Sequence, residues 1–319
     1  MYEWKMDALN NLWKTTCPHC AEQFPKNDFG AFYQSGLDVH GVFDPEQADR
    51  GLLFNAEHPS AEDPLHQFGV DDGTGYFDGT NRWYFINAFA VRGQWKQFIQ
   101  AGIRTLSLAY AMSGERVYAH KAAILLDRVA DLYPAFDYLK QGLTYENSNP
   151  ISGMGAVSVW HDACREARDM ALAFDLITPG LDGDDELVSF LSQKASRYQL
   201  ENAKDSAQKI CANIKTGLLQ HLLDEPRKIL SNFPNSEVTQ LVAQAILDWP
   251  NNRPQLVAEL QTMLEQVTAV DGLSGEKGLG GYASIAPKLV AGVLVLFSRL
   301  DAELLPELVR RVPGLVQMF

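Results

Sequence analysis

The stretch Val157-Ser158-Val159-Trp160-His161-Asp162-Ala163-Cys164-Arg165-Glu166-Ala167-Arg168-Asp169-Met170-Ala171-Leu172-Ala173-Phe174-Asp175-Leu176-Ile177-Thr178-Pro179-Gly180 decides the fold class. Val157, Trp160, Cys164, Ala167, Ala171 and Phe174 recur by threes and fours, which places them on one face of an α-helix. Pro179-Gly180 predicts its end. The same period runs through the chain from about residue 81. Segment 115–133 aligns Tyr118, Ala122, Leu125, Leu126, Val129 and Leu132 and is stopped by Pro134. Further stripes are Leu187, Phe190, Leu191 and Tyr198, then Ile210, Ile214, Leu218 and Leu222. Val238, Leu241, Val242, Ala245 and Ile246 predict a helix capped by Ser236, and Leu256, Leu260, Met263, Leu264 and Val267 one opened by Pro254. The stretch from Ala283 to about Leu300 is apolar on most sides, which predicts deep burial.

No convincing strand alternation interrupts these patterns, which amount to about eight to ten helices joined by short loops. The prediction is an all-α domain over residues 81–319. Helical hairpins arranged in a ring, an α/α toroid complete or incomplete, fit this count best; an irregular bundle satisfies the same periodicity.

Residues 1–80 have another character. Turn signals such as Asp44-Pro45, His58-Pro59, Asp63-Pro64 and Asp71-Asp72-Gly73-Thr74-Gly75 alternate with Phe24, Phe29, Phe32, Tyr33, Phe43, Phe54 and Phe68. So many aromatics exclude disorder and predict a loop-rich arm wrapped on the helical domain.

At 319 residues and 46% apolar composition the chain can bury a sizeable core. A formal charge of −13 with no Lys/Arg cluster argues against a nucleic-acid partner, and an anionic ligand would need local cations in its cleft. No apolar run approaches the ~18 residues of a membrane span. Met1-Tyr2-Glu3-Trp4-Lys5-Met6-Asp7 lacks a signal-peptide pattern, which predicts a cytoplasmic chain or one whose leader has been removed or left out.

Four cysteines are too few for a disulfide framework, and Cys17-Pro18-His19-Cys20 is the only close pair. A Cys-x-x-Cys knuckle supplies half of a tetrahedral zinc site, with other ligands to come from His19, His40 or distant residues; a local turn with two sulfurs is the other reading.

The richest polar loop is Asp271-Gly272-Leu273-Ser274-Gly275-Glu276-Lys277-Gly278-Leu279-Gly280-Gly281-Tyr282. Five glycines in twelve residues admit left-handed backbone and close approach to another molecule, while Glu276, Lys277 and Tyr282 supply polar groups. As a plain connector it would pack Tyr282 on a neighbouring helix.

Taken in order, Trp95, the run Leu106-Ser107-Leu108-Ala109-Tyr110-Ala111-Met112-Ser113-Gly114-Glu115-Arg116-Val117-Tyr118-Ala119, Trp160 with Glu166-Ala167-Arg168, Ser231-Asn232-Phe233 and the loop ending at Tyr282 resemble the helical domain of heparinase II/III-like and alginate-lyase-like polysaccharide lyases. The resemblance implies β-elimination beside a uronic acid in an anionic polysaccharide or oligosaccharide, without a cofactor, in a periplasmic or secreted setting. It assigns Asn232 to the substrate carboxylate and Tyr282, fifty residues on, to proton transfer. Asn232 precedes the helix predicted from about Ser236, whose free N–H groups favour an anion; a helix-entry turn is the plain alternative.

A tyrosine that gives up its proton near neutral pH needs neighbouring cations, since it titrates near ~10 when free. Lys277, Arg168, Arg165 and Arg82 are the candidates, each with a carboxylate ion pair as its ordinary alternative. Glu276 is placed to orient Lys277 or Tyr282. Arg82-Trp83-Tyr84 follow a glycine-rich stretch and are assigned to the cleft, where sugar rings stack on aromatic faces; Trp95, Trp160 and Trp249 are assigned to the core.

Two departures from the family pattern stand out. Phe233 occupies the place where the family often has a histidine, leaving His161 or His221 to substitute. The β-sandwich that follows the helical domain in these lyases, and that supplies a catalytic histidine, has no counterpart before Phe319. Two other classes fit the same residues: a toroid glycoside hydrolase using carboxylates such as Asp71, Asp72 and Glu146, and a non-catalytic carbohydrate-binding or scaffold domain.

Overall fold

The computed structural model describes residues 4–39, 41–138, 154–274 and 282–318, with Tyr282, Ala283 and Ser284 as backbone. The chain is all-α, with 61% helix and 5% strand. The N-terminal residues form two small antiparallel hairpins, β1 (Thr15–Thr16) with β2 (Gln23–Phe24) and β3 (Tyr76–Phe77) with β4 (Arg82–Trp83), and a short helix α1 (Phe29–Ser35). Then α2 (Phe85–Ala88) runs through a π-helical segment (Phe89–Gln100) into α3 (Ala101–Ser113), which Gly114 ends at φ 71°. Next come α4 (Arg116–Leu132), α5 (Trp160–Leu181), α6 (Asp185–Arg197) and α7 (Ala207–Ile214). A second π segment (Lys215–Gln220) leads into α8 (His221–Asp224). The chain closes with α9 (Asn235–Asp248), α10 (Arg253–Val267), α11 (Tyr282–Leu300), α12 (Leu304–Arg311) and α13 (Gly314–Met318).

Most of the predicted stripe residues enter the core; Phe190 on α6 and Leu132 at the end of α4 are exposed instead. On α5, Cys164, Ala167, Met170, Ala171, Phe174 and Ile177 are buried against α3, α4 and α7, and Ile210, Ile214, Leu218 and Leu222 have no exposure at all. A second core gathers Leu241, Leu256, Leu260, Leu264, Val290, Phe297 and Leu308 from α9 to α12. Helix α9 is the partition: Val242 belongs to the first core, Val238 and Leu241 to the second.

Several boundaries and environments differ from the sequence expectation. Helix α5 runs past Pro179 to Leu181: in a last turn the proline forfeits one hydrogen bond, and buried Ile177 and Leu181 hold the backbone. Ser236 lies inside the first turn of α9, not at its cap, and its hydroxyl accepts the Ser231 N–H at 2.8 Å. Pro254 does open α10. Trp160, assigned to the stripe and the core, is 38% exposed because it is the first residue of α5, whereas Trp95 is buried as assigned. Helix α11 is buried on one side only; Ile285 and Val295 are exposed on the other.

The aromatic arm is fastened to the first long helix. Phe24 stacks on Phe85 at 4.8 Å, and the Trp13 ring meets Phe29 at 5.1 Å and Phe89 at 5.5 Å. The buried Asp71 carboxylate accepts the N–H groups of Gly73, Gly75 and Ile86, which ties the loop before β3 to α2. Farther along, the Lys204 ammonium, 1% exposed, bridges Asp127 at 2.5 Å and Asp131 at 2.6 Å and pins the segment before α7 to α4. Removing one member would strand buried charge.

Gly217 sits where the second π segment touches α4. A Cβ there would lie 2.4 Å from the Ala130 carbonyl oxygen, a backbone atom that cannot swing away, whereas Gly292 on α11 has open space. Gly217→Ala should therefore lower stability by about 1–3 kcal/mol through overpacking. Gly292→Ala should raise it by roughly 0.5–1 kcal/mol through helix propensity. Urea denaturation of both variants checks the contrast.

Candidate functional site

A cavity of about 860 Å³ opens between α5 and α11 with α9 behind it. Helix α5 presents His161, Arg165, Arg168 and Leu172, spaced by fours and threes along its outer face. Helix α11 presents Lys288, Gly292 and Arg299 by the same geometry, and the approach to α9 contributes Asn232, Phe233 and Asn235. Four permanent cations thus line one cavity in a chain of net charge −13, and no Asp or Glu is among the described lining residues. The remainder is aliphatic, with Val242, Leu289 and Leu296 among it.

The cations differ in their partners. Arg165 pairs with Asp162 at 2.7 Å, and Lys96 takes the other oxygen of that carboxylate at 2.9 Å. Burial pushes the Asp162 carboxyl up, but Lys96, Arg165 and His161 outweigh it and hold the group below the usual carboxylate range. Arg168 has no carboxylate partner among the described residues. Its guanidinium donates to the Asn235 carbonyl at 3.1 Å and to the Thr239 hydroxyl at 2.8 Å, while that hydroxyl donates to the same carbonyl at 2.7 Å. Burial pushes the Arg168 pKa down, which marks a cation kept partly out of water. Lys288 and Arg299 make no ion pair with any described residue.

The structure therefore brings four of the sequence candidates, His161, Arg165, Arg168 and Asn232, to one cavity. His161 is exposed at its edge. Tyr282 is the first residue of α11, the helix that carries Lys288 and Arg299, and Glu276 and Lys277 lie outside the described residues. Arg82, Trp83 and Tyr84 are not among the lining residues. Arg82 donates to the Thr74 and Gly75 carbonyls, the Trp83 indole donates to Asp78 at 2.8 Å, and Tyr84 precedes α2. His221 is also elsewhere. Its Nε2 accepts from the buried Lys228 ammonium at 2.7 Å, and burial pushes its pKa down.

For the hydrolase alternative, Asp71 is buried on backbone donors, Asp72 holds Arg50 at 3.2 Å, and Glu146 lies outside the described residues. Cys17 and Cys20 are free thiols in the β1–β2 turn. The backbone N–H groups of Cys20 and His19 pull the Cys17 thiol below the ordinary range.

Sequence reading missed Lys288 and Arg299 because α11 reads as a buried helix. The signal was present: a lysine and an arginine near-helically spaced inside an otherwise apolar run are costly unless that face opens on water or an anion. It also missed Glu166, whose carboxylate accepts the Ser158 hydroxyl at 2.6 Å and the Trp95 indole N–H at 2.9 Å beneath the cationic face.

Burial raises the Glu166 pKa, so the folded chain holds this proton to higher pH than the unfolded chain does. The associated stability is present below the ordinary value near ~4.3 and is lost as pH rises through the folded-state value. Glu166→Gln can still accept from Trp95 and donate to Ser158, and it does not titrate. In denaturation series at increasing pH, the stability difference should move in favour of the Gln variant above the ordinary carboxylate range; a constant difference would refute the assignment.

Comparisons with family models, with curated proteins and with solved structures find no match for this chain.

Proposed function

We propose that the chain is the helical domain of a polysaccharide lyase, an α/α toroid that binds a uronic-acid polymer in the α5–α11 cavity and cleaves it by β-elimination. The observation that carries this reading is the convergence of Arg165, Arg168, Lys288 and Arg299, with Asn232 and His161, on one cavity without a lining carboxylate among the described residues. Such a site attracts anions, and its described lining lacks the carboxylate pair a hydrolase requires.

In the proposed reaction Asn232 and the cations hold the uronate carboxylate and lower the pKa of the adjacent C–H. Tyr282, as phenolate, takes the C5 proton; the C4–O bond breaks as a C4–C5 double bond forms; the tyrosine hydroxyl returns the proton to the departing oxygen. Atoms balance and the tyrosine is regenerated. His161 stands at the same cavity as a second proton carrier in place of the residue now occupied by Phe233. A β-sandwich domain of the kind the family carries would cover the open side.

Uronic-acid polymers incubated with the protein should yield the ultraviolet absorbance of an unsaturated uronate, abolished by Tyr282→Phe. New reducing ends without that absorbance would mean hydrolysis, and binding alone would support the non-catalytic role. Lys288→Met and Arg299→Met should each weaken oligouronate binding on the order of tenfold, more at low than at high salt, with little change in thermal midpoint.

A further inference from the structure

The β1–β2 hairpin ends in a turn shaped around sulfur. Cys17 donates its N–H to the Glu22 carbonyl at 2.8 Å and accepts the Ala21 N–H at 3.1 Å, closing the turn between paired strands. Inside it, the backbone N–H groups of His19 and Cys20 are both directed at the Cys17 sulfur, and the two cysteine side chains are hydrogen-bonded to each other. Ala21 follows the second cysteine at φ 62°, a left-handed conformation that an alanine adopts only under constraint. That reversal brings the chain back into β2 with both sulfurs on the same turn. Cys20 is exposed and Cys17 half-exposed, so the pair is reachable from solvent. Beside it, Lys5 pairs with Thr16 through both backbone bonds, and Glu22, which accepts the Cys17 N–H at its carbonyl, is the charged group next to the sulfur.

Two thiolates at this spacing, with backbone donors on one sulfur, are the ligand set of half a tetrahedral zinc site. A complete site needs four ligands. Among the described residues no group of three or more His, Cys, Asp or Glu is placed to hold an ion. His19 is exposed on the turn, its N–H directed at Cys17, and His40 lies outside the described residues. What the turn can meet with matching geometry is its own duplicate. We propose that Cys17 and Cys20 form one half of a zinc site that the same turn of a second copy completes, so that one ion held by four thiolates joins two chains. This site is independent of the cavity and of any catalytic role.

The test uses the whole chain, fully reduced, titrated with cobalt(II) and separately with zinc(II) while molar mass is followed by sedimentation or light scattering. Expected are thiolate-to-cobalt charge-transfer and tetrahedral visible bands that saturate at one ion per two chains, with a doubling of mass that a chelator reverses. Cys17→Ser and Cys20→Ser should each remove both signals, and Cys211→Ser neither. Saturation at one ion per monomeric chain, or the lack of thiolate bands in the reduced protein, would overturn the proposal.

Discussion

The guanidinium of Arg168 is the constraint around which the cavity is organised. It is half-buried between α5 and the first turn of α9 and is met by a carbonyl and a hydroxyl, not by a carboxylate. Hydrogen bonds to a charged group contribute roughly 1.5–3 kcal/mol each, enough to orient the guanidinium but not to neutralise it. Its positive charge therefore persists at the cavity wall. Asn235 must offer its carbonyl and Thr239 its hydroxyl, so the start of α9 is fixed against α5, and with it the approach that carries Asn232 and Phe233.

The same approach is anchored from behind. Lys228, 2% exposed, donates to the carbonyls of Tyr133 and Pro134 as well as to His221, so the segment leading to Asn232 is tied to the end of α4. The Cys164 thiol reaches the Ile229 carbonyl at 3.0 Å from α5. Asn232 is thus held through buried contacts on both flanks, in a connection that its sequence alone marks only as a turn. Rigid support of this kind is what a group must have to meet a carboxylate in one geometry.

Helix existence and type were legible because the apolar period is strong: the stripes of α4, α5, α7, α9 and α10 bury most of the face their spacing assigns, with Leu132 and Trp160 exposed at the helix ends. Less legible were properties that depend on what a helix packs against. Helix α11 has an apolar composition suited to a core, yet among its described side chains Ala286, Val290, Val293, Leu294 and Phe297 are the ones fully buried in one, with Leu296 packed at its edge, because α5 stands away from its other side. Trp160 misled because its spacing fits the stripe, yet it is the first residue of α5, where the apolar face has no preceding helical turn to continue it. The grouping of His161, Arg165 and Arg168 was legible as one helical face; their meeting with Lys288 and Arg299 was not, because no local pattern encodes the distance between two helices. Arg82, Trp83 and Tyr84 were placed by composition, and composition does not say which way a hairpin points.

The two cores also explain why a cavity exists at all. Helix α9 gives Val242 to one core and Val238 and Leu241 to the other, so α5 and α11 pack on either side of it without closing on each other. If they did close, Arg165, Arg168, Lys288 and Arg299 would be brought together with little solvent, and like charges at low dielectric repel strongly. Their mutual repulsion and their hydration oppose closure of the cleft. Arg165 already has the Asp162 carboxylate beside it, whereas Lys288 and Arg299 make no ion pair with any described residue. The same charge that opposes closure is what the proposed anionic ligand would offset.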